Sequence, residues 1–63
     1  MTTWIVQDGA GTFYRVRNTT DPNLAHVWVG IPVKKAGTGF VAKANARERL
    51  VRRAGCIIIT QEG

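Results

Sequence analysis

Asn45-Ala46-Arg47-Glu48-Arg49-Leu50-Val51-Arg52-Arg53-Ala54-Gly55 is the stretch on which the fold class turns. Asn45 is a favoured helix N-cap, and Glu48 stands three residues later, where its carboxylate can reach back as in a capping box. Ala46 to Ala54 is rich in helix formers, and Gly55 suits the position just past a helix end. Start and stop signals together predict a helix of about nine residues. At helical spacing Ala46, Leu50, Val51 and Ala54 share one side, and Glu48, Arg49, Arg52 and Arg53 share the other. Arg47 falls inside the apolar arc, where its stem would lie along a neighbouring surface. So short a helix is marginal alone in water and must dock on something.

The rest of the chain reads as strand. Thr3 to Gln7 alternates, with Trp4 and Val6 on one face and Ile5 on the other. Asp8-Gly9-Ala10-Gly11 is turn chemistry, and Thr12 to Asn18 returns with Tyr14 and Val16 opposed to Phe13, Arg15 and Arg17. After a polar loop, Ala25 to Lys34 sets Ala25, Val27, Val29, Ile31 and Val33 against His26, Trp28, Gly30, Pro32 and Lys34. Proline cannot donate to a ladder, so Pro32 predicts a sheet edge or a bulge at Gly30. Phe40 to Lys43 is a short extended stretch after a glycine-bearing turn. Cys56-Ile57-Ile58-Ile59-Thr60 is a continuous apolar run, as expected of a central strand covered on both faces. The expected fold is therefore α+β in the order β-β-β-(β)-α-β, with one short helix packed on a small antiparallel sheet of four or five strands. The alternative is an SH3-like small barrel closed by the last strand. Either is a single domain over residues 1–63.

A chain of 63 residues buries little core, which limits its net stability to roughly 3–5 kcal/mol. Cys56 is the only cysteine and His26 the only histidine, which excludes an internal disulfide and a Cys/His zinc cage. One helix can cover only one sheet face, so the other is expected to stay partly open or to be covered by a second subunit, which favours a homo-oligomer. No apolar run reaches the ~20 residues of a membrane span, and no base precedes Arg15 in a signal-like N-terminus. A cytoplasmic location with no membrane partner is expected.

The charge is lopsided. Residues 1–33 balance Arg15 and Arg17 against Asp8 and Asp21, whereas residues 34–63 set seven bases against Glu48 and Glu62 and so carry the whole net charge of +5. That asymmetry points to a polyanionic partner. Guanidinium groups grip phosphate in pairs and stay charged at any cellular pH. Arg49, Arg52 and Arg53 on the helix face, with Lys34, Lys35 and Lys43 beside them, are the candidate phosphate contacts of a small nucleic-acid-binding accessory protein, for DNA or RNA. Six arginines to three lysines is also a composition compatible with a bacteriophage gene. The alternative is a protein-interaction module, such as a phage-encoded modulator docking on a host protein through Phe13, Arg15, Arg17, His26 and Trp28, since Trp and Arg dominate interface hot spots.

Catalysis is not expected. Asp8 and Asp21 have turn roles, Glu48 a capping role, and Glu62 lies at the tail. Cys56 opens an apolar strand, where a thiol acts as a small hydrophobe. Gly9-Ala10-Gly11 and Gly37-Thr38-Gly39 lack the following helix start that a phosphate loop needs. No metal or cofactor is implied.

Overall fold

A computed structural model describes residues 2–62 as six strands of one antiparallel sheet. They are β1 (Thr3–Gln7), β2 (Phe13–Asn18), β3 (Val27–Ala36), β4 (Gly39–Ala42), β5 (Arg49–Arg52) and β6 (Ile57–Glu62), with a single 3-10 turn at Pro22–Leu24. The strand order is β4-β3-β2-β1-β6, and β5 also pairs with β3. The sheet curls into an open half-barrel, so the SH3-like alternative fits and the α+β expectation is overturned. Among the described residues no helix is long and apolar enough to cross a membrane.

The first hairpin forms where its alternation places it. Asp8 shapes the turn: its Oδ1 accepts from the amides of Ala10 (3.0 Å) and Thr12 (2.8 Å). Gly11 completes the reversal at φ 87°, a conformation that costs glycine nothing. In the register Val6 faces Tyr14, and Trp4 faces Val16.

β3 carries the sheet. Along one side it pairs with the whole of β2, from Asn18↔Trp28 to Phe13↔Val33. Its other side is shared end to end: Val27–Gly30 pair with β5, and Val33–Ala36 pair with β4. Pro32 sits at the break between the two. Its carbonyl accepts from the Lys43 amide at 3.2 Å on that side, and a strand residue points its N and C=O the same way. The donor that proline lacks is therefore missing where neither β4 nor β5 needs it. Gly30 keeps regular pairing with both neighbours, and the bulge expected there is absent. The register shift lies instead in the β1–β6 pair, between Ile5 and Val6.

The predicted helix is replaced by strand. Asn45 stands at φ 60°, in the left-handed region that asparagine tolerates, rather than in the extended conformation of an N-cap. The Ala46 amide donates to the Lys43 carbonyl at 3.0 Å, closing a turn. Glu48 reaches Arg17 on β2 at 2.8 Å instead of its own backbone. Arg49–Arg52 then satisfies the Val27–Gly30 edge, and Val51 seats itself beside Trp28. The strand also puts Arg49 and Arg52 on opposite faces, removing the like-charge crowding that a helix would impose at this spacing. Gly55 does adopt a left-handed φ of 81°, but in the turn before β6.

Two layers of side chains hold the sheet. On one face Val6, Val16, Trp28 and Val51 form the buried cluster, with Trp4, Tyr14 and Cys56 packed on it. On the other face Ile5 and Val33 are fully buried, and the Phe13 and Phe40 rings meet with centroids 5.1 Å apart. β6 corrects a second expectation. It is an edge strand paired only with β1, and Ile57, Ile58 and Ile59 are 60%, 57% and 44% exposed rather than covered on both faces.

Candidate functional site

Opposite charges pair first where the sheet brings them together. Arg15 donates through Nε to Glu62 at 2.8 Å and through Nη2 to the Phe40 carbonyl at 3.0 Å, so one guanidinium joins β2, β6 and β4. Arg17 pairs with Glu48 at 2.8 Å. Asp8 is engaged in its turn, and Asp21 accepts from the Asn23 amide at 2.9 Å to start the 3-10 turn. All four acids are thus committed, two of them to the arginines of the first half. Among the described residues, the seven bases Lys34, Lys35, Lys43, Arg47, Arg49, Arg52 and Arg53 have no carboxylate within 4.0 Å.

Those seven bases gather along one edge. Lys34 and Lys35 lie at the C-terminal end of β3, Lys43 and Arg47 in the link from β4 to β5, Arg49 and Arg52 on β5, and Arg53 just beyond it. Because β4 and β5 run end to end along the outer side of β3, the bases line a single ridge. Ten strand residues at ~3.3 Å each make β3 about 33 Å long, close to the 36 Å long axis of the molecule. Period-two alternation sends Lys35 and Arg52 to one face of this edge, and Lys34 and Arg49 to the other. The ridge is therefore basic on both flanks.

Two of the arginines are held over aromatic rings. The Arg49 guanidinium carbon lies 5.9 Å from the Tyr14 centroid, and that of Arg53 lies 5.2 Å from the Trp28 centroid. Arg53 also donates to the Asn18 side chain at 2.7 Å. Each stacked arginine retains free N–H groups for an incoming anion while its ring limits how far it can swing. Beside them opens a cleft of about 290 Å³ lined by Asp8, Tyr14, Arg49, Arg52 and Cys56 among others.

The six predicted phosphate contacts thus share one edge, although no helix assembles them. Arg47 joins them, and sequence reasoning passed it over because a helical projection placed it in the apolar arc. The second predicted set is divided. Phe13, Arg15 and Arg17 lie on the face opposite Trp28, because Arg17 registers with Val29 and Asn18 with Trp28. Trp28 is only 6% exposed and belongs to the core, Phe13 packs on Phe40, and Arg15 and Arg17 are consumed by ion pairs. His26 is exposed just before β3, in the company of Arg52 and Arg53.

Burial, and then the charge of Asp8, push the Cys56 thiol above its ordinary value. That is the reverse of what activates a nucleophile. Alkylation of Cys56 in the folded protein at pH 8 is expected to run several-fold slower than in the urea-unfolded chain; equal rates would show the thiol to be unprotected. No protein-family model matches this chain, and neither a curated protein nor a solved structure does.

Proposed function

We propose that this chain is a small nucleic-acid-binding protein that tracks phosphates along the β3–β4–β5 ridge. The observation that carries the reading is charge segregation. Every acidic side chain is engaged elsewhere, while seven bases with no carboxylate partner among the described residues share one edge about 33 Å long. An edge of that length spans roughly ten base-pair steps at 3.4 Å per step of one strand. Bases on both flanks suit a backbone that passes across the ridge.

Contacts of this kind position a partner without reading its bases. Trp28 lies beneath Arg53 and Tyr14 beneath Arg49, so neither ring offers an uncovered stacking platform. Binding is accordingly of low sequence preference.

Fluorescence anisotropy with a short labelled duplex tests the reading. Neutralising four to six phosphates gives a log K against log[salt] slope of about −4 to −5. Among the described residues, Lys34, Lys35, Lys43 and Arg52 make no side-chain hydrogen bond or ion pair. Their joint replacement by Gln is expected to flatten the slope by about 3 to 4 without loss of fold, at roughly one unit per phosphate contact. A folded quadruple variant with the parental slope would remove the ridge from consideration.

A further inference from the structure

Opposite the basic ridge lies an edge guarded only by a bulge, since Ile5 and Val6 register with Thr60 and Ile58 and leave Ile59 without a partner on β1. β6 pairs with β1 along one side only, so its other side presents a row of backbone donors and acceptors with no partner among the described residues. Ile57, Ile58 and Ile59 are exposed in succession on it. Natural sheets protect such edges with lysine, proline, inward charge or a bulge, and of these β6 has the bulge alone between Ile57 and Gln61. The ridge edge follows that rule, with Lys43 beside β4 and Arg49 and Arg52 on β5. From Ile57 to Gln61 the β6 edge carries no charge at all, and Glu62 beyond it is already held by Arg15.

We propose that β6 pairs antiparallel with β6 of a second copy of this chain, forming a two-fold symmetric dimer with one continuous sheet. Three observations favour a second copy as the occupant. First, the edge is self-complementary: an antiparallel pairing sets neutral residues against neutral residues, with isoleucine side chains meeting across the two-fold axis. Second, the charge distribution permits it. Two copies of net charge +5 repel, yet pairing through β6 leaves β3 and its counterpart seven ladder spacings apart, roughly 34 Å measured along the sheet. Pairing β6 with β5 of another copy would instead make an open-ended, head-to-tail contact and cover Arg49 and Arg52. Third, the chain has more surface than its size calls for. It exposes 4346 Å², against about 4,000 Å² for a compact monomer of 6.9 kDa. The inference does not rest on the nucleic-acid reading, since dimerisation leaves both ridges free at the outer ends.

Sedimentation equilibrium of the intact protein provides the test. A mass near twice 6.9 kDa is expected at roughly 100 µM, returning to the monomer mass on dilution, as small interfaces behave. The double variant Ile57→Lys/Ile59→Lys places like charges across the two-fold axis and is expected to stay monomeric over the same range. Hydrogen exchange on the unmodified protein gives a readout independent of the variant's folding. Protection of the β6 amides should rise several-fold from low to high concentration, with β4 and β5 amides unchanged. A monomer mass throughout, a folded double variant that still dimerises, or concentration-dependent protection on β5 instead of β6 would each overturn the proposal.

Discussion

Trp28→Ala is expected to leave the chain without a cooperative unfolding transition at room temperature. Trp28 is buried in the cluster with Val6, Val16 and Val51, with Trp4 6.5 Å away and Arg53 across its face. Truncating a buried tryptophan costs about 3–5 kcal/mol. A core of this size supplies roughly 3–5 kcal/mol in total, so the loss consumes the whole margin. Removal also withdraws the ring that holds Arg53 and uncovers the ladder between β3 and β5. Urea denaturation followed by the fluorescence of Trp4 measures the effect, and Trp28→Phe, which keeps a ring in place, should retain a transition at lower urea. A cooperative Trp28→Ala protein within about 1 kcal/mol of the parent would show that this cluster is not the core. The experiment also separates the two roles open to this residue. An interface tryptophan loses partner capture and keeps its fold, whereas a core tryptophan loses the fold.

Gly30→Ala is the second large effect. A Cβ built at Gly30 would lie 2.6 Å from Val16 Cγ1 and 2.9 Å from the Arg15 carbonyl oxygen. The first neighbour is a β-branched side chain that is itself buried, and its χ1 has little freedom to rotate away. The second is backbone in the β2–β3 ladder. Neither can yield without moving a strand, so a destabilisation of about 1–3 kcal/mol is expected. Gly9→Ala supplies the control, because nothing lies within 4 Å of its added Cβ and its backbone is not left-handed. It should be neutral, or stabilising by up to about 1 kcal/mol through the unfolded chain. Equal denaturation midpoints for the two variants would mean that β2 and β3 are not packed at Gly30 as closely as these distances require.

The two variants also show which parts of the fold are written locally. The β1–β2 hairpin is legible because its signals are local and agree: alternation in both strands, Asp8 to shape the turn, and a glycine where φ must be positive. The alternation within β3 is legible for the same reason. What alternation leaves open is register. Placing Phe13, Arg15 and Arg17 with Trp28 treats two adjacent strands as though their faces were already matched, and the pairing Asn18↔Trp28 puts Trp28 on the other side. A one-residue shift of register exchanges every side chain between faces, and no single strand encodes it.

The candidate interface was legible in charge but not in geometry. Counting acids and bases located the excess in residues 34–63, and the structure gathers the seven bases of that half on one edge. The form of that edge was not available from residue types. Arg47 counts as an apolar-arc residue only if the segment is helical.

By itself the sequence determined the first hairpin, the long central strand, the absence of any internal covalent or zinc staple, and the imbalance of charge between its halves. Each follows from nearest neighbours or from composition. Only the tertiary structure decided the state of Asn45–Gly55 and of Ile57–Glu62. Ala46–Ala54 carries adequate helix propensity, but a nine-residue helix gains little from propensity alone. β3 offers an unpaired ladder from Val27 to Gly30 and a half-covered Trp28, and pairing there satisfies backbone groups and buries Val51 together. The same choice strands three isoleucines on an edge, because the segment that would have covered the sheet as a helix has become part of it.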